Sequence, residues 1–139
     1  MRALAIVGSV ARAGERAELP HSDRVALALA LARFGGAARA CALDAFARGY
    51  ARAAGFGEVS ADLDAELGAA EVVLVGRGAC GERGDAFPAQ LAERLGAALA
   101  YEVVDARPDA LALAVERDLG RGARDRLAIA GRAVLAVAE

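Results

Sequence analysis

A chain of 139 residues is long enough for one domain with a sizeable core and too short for two. Its basic residues are 17 arginines and no lysine, against 19 acids and a net charge of -2, so a Schiff-base lysine and a P-loop lysine are excluded, and the scattered arginines disfavour nucleic-acid binding. Apolar residues make up 57%, of which 39 residues are alanine, and the mean hydropathy of +0.33 points to some apolar surface covered by a partner.

Leu4 to Val7 reads as a first, fully buried strand. Residues 8 to 22 form a polar loop, and Ser22 or Asp23 is placed to cap a helix running to Phe34. Val25, Leu29 and Ala32 share one face of that helix, Leu27, Leu31 and Phe34 widen it, and Gly35-Gly36 stops it. Ala38 to Leu43 is a second strand; Asp44 caps a helix from Ala45 to Ala54 that Gly55 ends. A short strand at Glu58 to Ser60 and a short helix from Asp62 to Leu67 lead to the strongest strand, Glu71 to Val75.

That strand empties into Gly76-Arg77-Gly78-Ala79-Cys80-Gly81-Glu82-Arg83-Gly84-Asp85, read as a glycine loop before a helix from Phe87 to Leu95. Ala98 to Val104 returns as a strand. Leu111 to Arg117 and Arg124 to Ile129 flank a turn at residues 118 to 122, and Ala133 to Val137 closes the pattern. The alternation predicts a single domain over residues 1–139: a three-layer α/β fold with a mainly parallel, doubly wound sheet, right-handed crossovers, helices on both faces and a C-terminal antiparallel hairpin.

Such a sheet binds ligands at the carboxyl ends of its strands. Backbone amides of the 76–85 segment suit an anion, with Gly76 and Gly78 allowing close approach and Arg77 and Arg83 offering charge. Gly76, Gly78 and Gly81 have the GxGxxG spacing, but no suitable acid follows. Gly8 and Ser9 at the first strand's exit and Asp44 at the second line the same crevice, although Asp44 also reads as a plain helix cap. Cys80, in the loop, is expected to be exposed and Cys41 buried. Two distant cysteines and the single His21 give no zinc pattern and no triad. No apolar run approaches the roughly 18 residues of a membrane span, so a cytoplasmic protein with free thiols is expected.

In its order of elements the chain resembles the electron transfer flavoprotein beta subunit family, or the equivalent amino-terminal domain of the alpha subunit. The likeness is carried by residues 71–77 with 87–96 (Phe-Pro-Ala-Gln-Leu-Ala-Glu-Arg-Leu-Gly), by residues 116–122 with 134–137, and by the helix at 23–33. It implies an adenine nucleotide alpha hydrolase-like fold, a bound AMP or, in bifurcating relatives, a second FAD, and pairing with a flavoprotein alpha-like partner or a homo-oligomer. On that resemblance Glu82 and Asp85 keep the acidity of the family's nucleotide loop, whereas Gly81 replaces its leading aspartate and Ala86 its glutamine. The family's long carboxyl-terminal arm has no counterpart in these residues. The expectation is a non-catalytic, nucleotide-binding domain that supports electron transfer through a flavin-bearing partner. The alternative is a ligand-free structural or subunit-interaction protein. A hydrolase using Glu82 or Asp85 lacks both a lysine and a metal cluster.

Overall fold

The computed structural model describes residues 1–139. Strand β1 (Ala3–Val7) is buried along its whole length, as its unbroken apolar run requires of a strand covered on both faces. Helix α1 (His21–Phe34) leads to a 3-10 turn at Gly35–Ala37, then β2 (Ala38–Ala42), α2 (Ala45–Ala54), β3 (Val59–Ser60), α3 (Leu63–Leu67) and β4 (Val72–Val75). Helix α5 (Ala86–Leu95) is followed by β5 (Ala98–Asp109), β6 (Ala112–Gly120), β7 (Ala123–Ala130) and β8 (Ala133–Val137).

All eight strands form one sheet in the order β3-β2-β1-β4-β8-β5-β6-β7. The run from β3 to β5 is parallel, and β5-β6-β7 is antiparallel. Strand order reverses between β1 and β4, which places the switch point where Val7 gives way to Gly8 and Val75 to Gly76. Helices cover both faces. One core gathers Ala5, Val7, Leu74 and Leu135 under α1 and α2; the other gathers Ile6, Val73, Val75 and Val134 under α3 and α5. Each fully buried Leu or Ile of these strands contributes about 1.5–3 kcal/mol over an exposed one.

Three readings from the sequence need correction. The buried side of α1 is Ala26, Leu27, Ala30 and Phe34, while Val25 and Leu29 are only partly buried. Apolar residues surround this helix, so periodicity alone does not choose the inward face. Strand β5 does not stop at Val104: after an irregular register near Glu102, which takes φ 56°, it runs through Arg107-Pro108 to Asp109. The segment 76–85 is not an open loop. It is a short helix, α4 (Arg77–Cys80), followed by a 3-10 turn at Gly81–Arg83.

Asp44 does cap α2, accepting from the Ala47 amide at 2.9 Å. Gly55 and Gly96, with φ of 121° and 60°, end α2 and α5 as their positions predict. No helix is long and apolar enough to cross a membrane.

Candidate functional site

The exits of β1 and β4 are filled by the start of α1. Helix α1 begins one residue before Ser22, so Ser22 and Asp23 lie inside its first turn and neither caps it. Both are completely buried. The Asp23 carboxylate accepts from the amides of Gly8 at 3.1 Å, Gly78 at 2.7 Å and Ala79 at 3.2 Å. The Ser22 hydroxyl accepts from the Arg77 amide at 2.8 Å. The acceptor on these amides is the protein's own carboxyl group.

The glycines serve this closure. A Cβ on Gly76 would strike Asp23, one on Gly78 would strike the Gly8 carbonyl oxygen, and one on Gly8 would lie 2.7 Å from the Gly78 carbonyl oxygen. Gly8, Gly76 and Gly78 therefore let α1, β1 and α4 meet. Burial pushes the Asp23 carboxyl above its usual range; the amides of Gly78, Gly8 and Ala79 oppose that, and nearby Glu139 adds to it.

Ser9 and Asp44 come together as the crevice reading expects, but they engage each other. The Ser9 amide and hydroxyl donate to Asp44 at 2.7 and 2.9 Å. Burial pushes the Asp44 carboxyl up, yet the Ala47 and Ser9 amides and the Ser9 hydroxyl outweigh it and leave the group below its usual range. The acid joins the β1 exit to the start of α2.

Two depressions flank this closed centre. The larger, about 530 Å³, is lined by Val10, Glu18, Leu19, Pro20, His21, Arg24, Phe46, Tyr50, Arg77 and Glu139. Helix α1 supplies His21 and Arg24, α2 supplies the exposed Phe46 and Tyr50, and α4 supplies Arg77. The smaller, about 190 Å³, lies at the ends of β4, β8 and β5 and includes Arg77, Cys80, Asp85, Tyr101, Glu102 and Glu139. There the Tyr101 hydroxyl donates to the Asp85 carbonyl oxygen at 2.8 Å.

Arg77 thus lines both depressions and Asp85 the second, while Gly8, Ser9, Asp44, Gly76, Gly78, Glu82 and Arg83 line neither. The exposed Arg83 guanidinium lies 3.9 Å over the Phe87 ring. Cys80 is buried rather than exposed, because it closes the last turn of α4 against the sheet. Burial raises its thiol pKa.

Glu139 accepts from the Ser22 amide at 3.0 Å and so reaches the start of α1. Burial raises its carboxyl, and the Ser22 hydroxyl, the Ser22 and His21 amides and Arg77 more than offset that. Sequence reasoning weighed His21 only for a zinc site or a triad and passed over Arg24, Phe46, Tyr50 and Glu139. A usable signal existed for the aromatic pair: Phe46 and Tyr50 are spaced i, i+4 on α2, on a different face from the buried Ala47 and Ala51. Compared with protein-family models and with curated proteins, the chain matches none.

Proposed function

We propose that this chain is an electron transfer flavoprotein beta-like domain without catalytic residues of its own, binding an adenine nucleotide in the larger depression. One observation carries the reading. A groove of about 530 Å³ beside the sheet's switch point brings two exposed aromatic side chains, Phe46 and Tyr50, together with His21, Arg24 and Arg77. Aromatic faces suit a base and arginines suit phosphate, and the volume lies within the range of small-molecule sites. The site differs from the one the glycine segment suggests, since the ligand would lie in front of Asp23 rather than on the 76–79 amides.

AMP or the adenylate part of FAD presents these groups. Electron transfer would then depend on a flavin held by an alpha-like partner, because the flavin supplies the redox chemistry. This chain's part would be to hold and orient the nucleotide and the partner.

Calorimetric titration with AMP, ATP, FAD and FMN tests the reading. It expects a saturating heat with AMP that weakens about tenfold in Phe46→Ala. No heat and no thermal shift with any of the four at millimolar concentration would remove it.

A second reading, a ligand-free interaction domain, draws on the closure by Asp23. The strand-exit amides that would bind an anion are already satisfied within the chain. The same titration separates the two readings.

A further inference from the structure

The sheet ends on β7, and no element of the chain lies beyond it. The opposite edge, β3, is only two residues long and so is blunted by brevity. Strand β7 runs for eight residues with no proline, and β6 pairs with it along one side only. Its two halves differ in chemistry. Arg124, Asp125 and Arg126 carry charge, with Asp125 held by Arg117 at 2.6 Å. Leu127-Ala128-Ile129-Ala130 carries none, and its Leu127 and Ile129 are half-buried extensions of the core under α1. An apolar edge of this kind offers a full set of backbone donors and acceptors to another strand.

From this we infer that β7 pairs with β7 of a second copy of this chain, antiparallel about a two-fold axis centred on Ala128, joining the two sheets into one. Charge decides the register. Centring on Asp125 would set Asp125 against its own counterpart and Arg124 against Arg126, and centring on Arg126 would oppose two arginines; like charges directly opposite are unfavourable. Centring on Leu127 sets Asp125 against Ile129. Centring on Ala128 sets Leu127 against Ile129 of the second copy twice over, Ala128 against Ala128, and Arg126 against Ala130. The self-complementary arrangement is what a two-fold interface requires. The surface formed is small, so the dimer is a weak one that assembles with concentration. The inference rests on strand order and edge chemistry and does not depend on the nucleotide reading.

Sedimentation velocity of the full chain at rising concentration tests it. Mass is expected to climb from that of the 14.1 kDa chain toward twice that value. Ala128→Glu, which opposes two carboxylates across the axis, is expected to raise the dimer dissociation constant about tenfold without altering the thermal melt. Ala128→Cys is expected to trap a disulfide dimer under mild oxidation, whereas Ala114→Cys, on the neighbouring strand β6 opposite Ala128, stays monomeric. The native thiols Cys41 and Cys80 are buried and do not interfere. A single-chain mass at every concentration up to about 1 mM would overturn the proposal. So would a dimer indifferent to Ala128→Glu. A dimer weakened by Ala128→Glu but never trapped through Ala128→Cys would overturn the Ala128-centred register.

Discussion

The buried carboxylate of Asp23 holds the backbone amide of Gly78 at 2.7 Å, across 55 positions of sequence. With Gly8 and Ala79 on the same two oxygens, one side chain ties the start of α1 to the exits of both strands at the switch point. Binding of an outside anion on these amides would require Asp23 to leave. That is why the groove beside it, rather than the glycine segment, carries the functional reading.

Removing the carboxylate should therefore cost stability before it changes any binding. Asp23→Ala leaves the amides of Gly8, Gly78 and Ala79 without their acceptor, at about 1–3 kcal/mol for each buried group left unsatisfied. Asp23→Asn keeps the shape and one accepting oxygen, so its loss is smaller. Urea unfolding of the two variants should show this order. Gly78→Ala, whose methyl would collide with backbone rather than with a movable side chain, should give little folded protein.

Two carboxylates should titrate with opposite signs. The Asp23 value is raised in the native state, above 3.8, so the native protein takes up that proton more readily than the unfolded chain. The site's contribution is full below the unfolded value and is lost as pH rises through the folded one. Asp44 is lowered below 3.8; its contribution is present above the unfolded value and is lost as pH falls through the folded one. The stability advantage of wild type over Asp23→Asn should grow as pH falls from neutrality. The advantage over Asp44→Asn should shrink over the acid end of the same series. Chemical denaturation across that pH range measures both slopes, and parallel slopes would contradict the assignment.

Nucleotide affinity should follow the groove and not the glycine segment. Arg24→Glu and Arg77→Glu reverse charge at the groove and should weaken AMP binding by tenfold or more, since a charge-assisted contact is worth about 1.5–3 kcal/mol. Glu82→Gln and Arg83→Ala, which line neither depression, should leave the affinity unchanged. Calorimetry on the four variants separates the two locations.

Both thiols should resist thiol–disulfide exchange in the folded protein. Burial pushes Cys41 to about 11, aided by Glu66 and Asp62, and raises Cys80 as well. Reaction with a chromogenic disulfide at pH 8 should be slow for both and should speed up sharply in urea. A fast native phase that disappears in Cys80→Ser would show that α4 opens.

Much of the fold was legible because its determinants are local. The apolar run Val72–Val75 demands a buried strand, Asp44 accepts from an amide three residues on, and Gly55 and Gly96 adopt the positive φ that ends a helix. The alternation of these elements led to a mixed α/β sheet with helices on both faces and an antiparallel end. Less of the candidate site was legible. Ser9 and Asp44 do meet, and Arg77 does line the groove. Phe46 and Tyr50 went unweighed although their i, i+4 spacing was readable, because spacing alone does not tell an exposed aromatic pair from a buried one.

By itself the sequence determined the order of most strands and helices and the ends of α2 and α5, because run length, caps and glycines act over a few residues; it did not determine the end of β5 or the helix at Arg77–Cys80. It also settled the absence of lysine chemistry, which composition alone decides. Only the tertiary structure decided what the glycines at 8, 76 and 78 are for. Their neighbours depend on β1 and β4 lying side by side, and on α1 starting directly above that seam. A hydrogen bond between positions 23 and 78 leaves no trace in spacing, since its donor and acceptor meet through strand order and not through the chain between them.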